Sequence, residues 1–88
     1  MITKIVATQA STGTNAGAAT SISEATCVRL YNNTAGIVTV GVSTAVGAAS
    51  TNYFEMPAGS VEFLAKFPTD VIWTSGIAIK ANKVAFTN

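Results

Sequence analysis

The chain has 88 residues, 49% of them hydrophobic and only 10% charged, with a formal net charge of +1. Average soluble domains carry about 25% charged residues, so this balance excludes a disordered chain and leaves a surface built mainly from Thr, Ser, Asn, Gly and Ala. The five bases, Lys4, Arg29, Lys66, Lys80 and Lys83, are scattered and form no stripe that would track a phosphate backbone, which argues against nucleic acid as a partner.

Residues 1–88 read as one domain. A domain of this size buries roughly 60–65% of its unfolded surface. No apolar run approaches the ~20 residues of a membrane helix, so no membrane is expected as a partner. Met1-Ile2-Thr3-Lys4 leads straight into a strand-like pattern, which predicts a chain made in the cytoplasm and left unprocessed. A surface so poor in charge does little to discourage association. It is either a plain Thr-rich β surface or one partly covered by neighbouring subunits.

Residues 2–9 are rich in β-branched side chains and predict a first strand. Residues 10–18, ASTGTNAGA, are polar and aperiodic. They read as a flexible connection or as an arm that orders against a neighbour. A short strand is expected around Ile22. Residues 26–31, TCVRLY, alternate, with Val28 and Leu30 on one face and Cys27, Arg29 and Tyr31 on the other. Asn32-Asn33-Thr34-Ala35-Gly36 is a turn, and residues 37–42 return with Val38, Val40 and Val42 on one face. Together these predict a hairpin.

Residues 43–52 read as a loop. Residues 53–75 then gather the only Trp, three of the four Phe and both Pro. These are the largest side chains available to a core. Tyr53 to Met56 is a short strand, and Pro57 and Gly59 make a turn. In residues 60–67, SVEFLAKF, Val61, Phe63, Ala65 and Phe67 share the predicted inward face, with Leu64 partly exposed or covered by a partner. Pro68-Thr69-Asp70 breaks the strand. Val71 and Trp73 then share a face, Ser75-Gly76 turns, and Ile77 and Ile79 point inward. Val84 and Phe86 close the chain with the same period. No helical stripe of useful length occurs. Seven or eight short strands with frequent turns predict an all-β fold, a small single-domain β-sandwich of jelly-roll or immunoglobulin-like kind or a closed small barrel.

Chemistry is sparse. There is no His, which removes the commonest general base and metal ligand. Cys27 is alone, so neither an internal disulfide nor a thiolate zinc site is available, and it reads as a small packed hydrophobe. Glu55 and Glu62 flank the Pro57 turn. They read as two solvated charges, or as a carboxylate pair of the glycosidase kind. Asn32-Asn33-Thr34 matches a glycosylation pattern but reads as a turn. Tyr31, Tyr53 and Trp73 offer an aromatic platform for a sugar. Trp73 is expected in the core, and Tyr31 is the better surface candidate. No enzyme is expected, and no cofactor or metal.

Two stretches, VRLYNNTAGIVTVGVS from Val28 to Ser43 and MPAGSVEFLAKFPTDVIWTSG from Met56 to Gly76, resemble small virion structural proteins of tailed bacteriophages, especially those of marine cyanobacteria. The matching positions are Val28, Arg29 and Asn32, then Val38 to Gly41, Met56 to Gly59, Glu62 and Lys66, and Thr69, Asp70 and Ile72. The resemblance implies a β-sandwich that assembles onto a phage particle in the virion, decorating or cementing the capsid shell. It implies the major capsid protein or other virion proteins as partners, and a homo-oligomer as the working form. The alternative is a tail or head-fibre component that binds host-surface glycan. The expected contact residues are Ile2, Lys4 and Val6 of the first strand, Thr12 and Asn15 of the following loop, and Arg29 and Tyr31. A guanidinium at Arg29 can pair with a partner carboxylate.

Overall fold

The computed structural model describes residues 2–47 and 52–87. Residues 48–51 of the expected 43–52 loop lie outside the described residues. Eight strands run in the order β1 (Ile2–Ile5), β2 (Ala10–Ser11), β3 (Cys27–Tyr31), β4 (Val38–Ser43), β5 (Asn52–Met56), β6 (Val61–Ala65), β7 (Val71–Thr74) and β8 (Lys80–Thr87). A 3₁₀ turn at Ala16–Ala18 is the helical piece among the described residues. All strand pairs are antiparallel and fall into two sheets. The larger sheet has the order β1-β8-β3-β6 with β2 also on β8, and the smaller has the order β5-β4-β7. The fold is all-β and sandwich-like, as the alternation and turn spacing predict. Its radius of gyration of 12.0 Å matches the ~12 Å of a compact chain of this length.

The core lies between the sheets. Val28 and Leu30 of β3 and Ala81 of β8 enter from the larger sheet, and Val38, Val40, Met56 and Ile72 from the smaller, all buried. Alternation fixes these faces, because successive strand side chains point to opposite sides.

β1 and β2 share one edge of β8. Val6 N–H donates to the Lys83 carbonyl at 2.9 Å, while β3 pairs along the other edge. Ile5 pairs with Val84 and Ala10 with Ala81, so residues 6–9 face only 82–83. The two extra residues form a bulge. Asn82 supports it, donating to the Ala7 carbonyl and accepting from Gln9 Nε2, both at 3.5 Å.

The predicted hairpin between residues 26–31 and 37–42 does not form. β3 and β4 belong to different sheets, and residues 32–37 cross between them. Each strand buries its own apolar face against the other across the core, which alternation cannot distinguish from side-by-side pairing. Asn32 drives the crossing. Its buried Nδ2 donates to the carbonyls of Met56 at 2.8 Å, Gly36 at 2.9 Å and Pro57 at 3.2 Å. Its Oδ1 accepts from Thr34 Oγ1 at 2.6 Å and Thr34 N at 3.0 Å. One side chain thereby ties the 32–36 turn to the 57–60 turn.

Residues 10–18 are not a free connection. After β2 the chain runs along the outer edge of β7. The Gly13 carbonyl accepts from Thr74 N at 2.8 Å, and Thr20 and Ile72 exchange backbone bonds at 3.0 and 2.8 Å. A buried relay fastens this strap. Ile79 N–H donates to Thr12 Oγ1 at 3.0 Å, the Thr12 and Thr74 hydroxyls meet at 3.2 Å, and Thr74 Oγ1 donates to the Ile77 carbonyl at 2.6 Å.

The expected strand around Ile22 is instead a left-handed turn. Ile22, Ser23 and Glu24 have φ of 53°, 57° and 56°. For L residues this region costs roughly 1–2 kcal/mol each. The turn persists because Ile22 and Ala25 are buried in the core, and Ser21 accepts from Glu24 N through its hydroxyl and from Ala25 N through its carbonyl. Ser23 is exposed and offers only its carbonyl, to Lys83 Nζ at 3.0 Å. Ser23→Gly keeps that bond and relieves the strain. After the greater unfolded-state entropy of glycine is subtracted, a gain of about 0.5–1 kcal/mol is expected in a urea titration.

Candidate functional site

Two outward faces carry the side chains that the core leaves over. The first is on the larger sheet. Tyr31 pairs with Val61, Arg29 with Phe63 and Cys27 with Ala65, and directly opposed residues share a face. Val28 and Leu30 point inward, so all six of these residues point outward. This reverses the expected facing of β6. Leu64, opposite Val28, packs against the core, while Phe63 is 47% exposed and Phe67, in the turn beyond, 74%. The reason is register: Val28 and Leu30 form the deeper apolar pair, and they fix which β6 residues turn in. Arg29 also lies opposite Asn82, and Tyr31 opposite Lys80. Both are partly exposed, as is Cys27.

The second face is on the smaller sheet. Tyr53 of β5 and Trp73 of β7 both pair with Gly41 of β4. Ile72 and Thr74 are fully buried on the inner side, so Trp73 stands on the outer side and not in the core, contrary to expectation. A Cβ at Gly41 would sit 2.5 Å from Trp73 Cε2 and 2.6 Å from Cζ2. The indole therefore lies across the bare strand backbone, and its Nε1–H donates to Ser43 Oγ at 3.1 Å. A glycine in the middle of the alternating run 37–42 was the sequence signal for this close approach. Tyr31 and Tyr53 are on different sheets, so the three aromatics expected in one platform reduce to two.

The other expected site residues scatter. Ile2 pairs with Thr87 at the β1 edge, where Lys4 and Val6 are exposed. Asn15 is exposed, and its Oδ1 accepts from Ala18 N at 3.0 Å, closing the 3₁₀ turn. Thr12 is buried in the hydroxyl relay, which leaves it almost no surface to offer a partner. The buried Asn32 amide spends its hydrogens on carbonyls, so Asn32-Asn33-Thr34 serves the fold as a turn.

Glu55 pairs with Thr39 on the outer face of the smaller sheet, whereas Glu62 pairs with Leu30 on the other sheet. The two carboxylates share no face. Among the described residues no group of three or more His, Cys, Asp or Glu is placed to hold a metal ion. Nor is any helix there long and apolar enough to cross a membrane. Lys66, beside Phe67 and Asp70, is partly buried. Desolvation lowers its pKa from the ordinary 10.5, against the opposing pull of Asp70. Where the sheets part between β5 and β6, a shallow cleft of about 540 Å³ is lined by Val42, Asn52, Tyr53, Phe54 and Leu64, none of them charged.

No family model matches the chain, and no curated protein or solved structure matches it.

Proposed function

We propose that this protein is a non-enzymatic structural protein of a phage virion, decorating or cementing the capsid shell as a homo-oligomer. The observation that carries the reading is the outward face of β6 and its following turn. Val61, Phe63 and Phe67 are all exposed there beside Tyr31, with the cations Arg29 and Lys80 at its flank. Scattered exposed apolar residues are ordinary, but a row of them along one strand marks a surface that a partner covers. Cations at the flank of such a face set orientation against partner carboxylates. The phage-like strand and turn motifs support the same reading, as does a chain only 10% charged. A shell protein needs no chemistry; it needs a rigid fold and weak contacts multiplied by symmetry.

Quantitative mass spectrometry of purified particles tests this. The expected copy number is equal to that of the major capsid protein or a simple fraction of it. A handful of copies would replace the shell by the tail or a fibre, and complete absence would end the virion reading. Phe63→Lys changes a half-exposed residue, so folding should survive. Its copy number on particles should fall at least about tenfold, since it sets a second, unpaired cation beside Arg29 at the interface, which costs several kcal/mol.

A further inference from the structure

The smaller sheet has an outer face of a different character. Tyr53, Gly41 and Trp73 stand side by side on three adjacent strands. Neighbouring strands are about 4.8 Å apart, so the two aromatic strands lie roughly 10 Å apart with only a glycine hydrogen between them. Trp73 leans into that gap and is pinned by Ser43. Tyr53 is 68% exposed. One step along the strands on the same face, Thr39 lies opposite Glu55. The result is a flat aromatic floor with a hydroxyl and a carboxylate at its side.

Three ligand classes meet this surface differently. A phosphate-bearing ligand would be repelled by Glu55, and no base pairs with these strand positions on that face. A packed protein sheet would want a row of branched aliphatic side chains, and at the paired strand positions of this face the described exposed residues are aromatic or polar, Ile37 lying just before β4. A neutral sugar ring fits both parts. Its C–H groups carry partial positive charge and stack on the negative face of an aromatic ring, while its hydroxyls donate to a carboxylate. We propose that Tyr53 and Trp73, laid across Gly41 and flanked by Thr39 and Glu55, form a binding site for a neutral saccharide. This site rests on the smaller sheet alone and does not depend on the virion reading. One ring face is buried and the other stays in water, so a single site binds with a Kd of about 1 mM.

Trp73 is the only tryptophan, so its fluorescence reports on the site directly. The purified protein is titrated with neutral tetrasaccharides of glucose, galactose, mannose or N-acetylglucosamine. A saturable change in emission is expected with at least one of them. Tyr53→Phe, which keeps the ring, should retain binding, and Tyr53→Ala should weaken it at least about tenfold, the loss of one stacking surface. Tyr53 is mostly exposed, so neither variant threatens the fold. The absence of a saturable change with all four sugars overturns the proposal. So does binding that is unaltered in Tyr53→Ala. Particle copy number bears on the virion reading and not on this one, so the two fail separately.

Discussion

Asn32→Ala should lose about 3 kcal/mol of stability, and Asn32→Asp should leave the protein largely unfolded at neutral pH. The Asn32 side chain is fully buried and joins the two turns through its amide nitrogen and oxygen. Truncation removes the donor that the Met56, Gly36 and Pro57 carbonyls share and the acceptor of the Thr34 N–H, and each buried group left unsatisfied costs about 1–3 kcal/mol. A domain of this length has only roughly 4–13 kcal/mol to lose. The aspartate is worse. It aims an oxygen at three carbonyl oxygens and buries a charge that has no cation. Its folded pKa must lie above the unfolded value of about 3.9, so the variant gains stability as the pH falls through that raised value. Trp73 fluorescence in urea, at neutral and at acidic pH, measures both effects. A neutral-pH loss under 1 kcal/mol for the aspartate would show that the amide does not hold the turns.

Much of the fold was legible in the chain, but in one dimension only. The alternation of Val28 with Leu30, and of Val38 with Val40, told correctly which side chains turn inward. It did not tell which sheet each strand joins, because two strands facing each other across a core and two strands side by side give the same pattern. The pairing was decided by a polar residue, Asn32, whose sequence reading ended at a turn. For β6 hydrophobicity alone makes the greasier set, Val61, Phe63 and Phe67, the inner face. Cross-strand register with Val28 and Leu30 overruled that sum. Such a register is a long-range property of β3 and β6, thirty-odd positions apart. Trp73 was missed for a related reason. Its size suggested the core, whereas Gly41 gave it a shelf on the outside. The run around Ile22 is too short for alternation to separate a strand from a buried turn.

Gly13→Ala should cost about 2–4 kcal/mol, although the sequence around it looks like the least constrained stretch of the protein. A Cβ at Gly13 would meet the backbone carbonyl oxygen of Ala18 at 1.9 Å and its carbon at 2.5 Å. Backbone cannot rotate aside as a flexible side chain does, so the turn at 13–18 has to open. That turn is closed by the Ala18 N–H donating to the Asn15 carbonyl at 3.1 Å and to Asn15 Oδ1 at 3.0 Å. Opening it withdraws the Gly13 carbonyl from Thr74 N–H and Oγ1, and the Thr14 carbonyl from Gly76 N–H. The hydroxyl of Thr74 is fully buried, so this loss is felt in the core and not only at the surface. The edge of β7 is then uncovered, and an uncovered edge invites pairing with another chain. Hydrogen exchange should therefore speed up at Thr74 and Gly76 far more than within β3, and the variant should aggregate more readily on heating. Gly36→Ala is the matched comparison. It has nothing within 4 Å of its Cβ position, so it should change stability by less than about 0.5 kcal/mol. If the two alanines behave alike, residues 13–20 are a loose connection after all. If Gly13→Ala alone fails, the strap is a structural part of the smaller sheet, and its polar sequence reflects the backbone it must satisfy along β7.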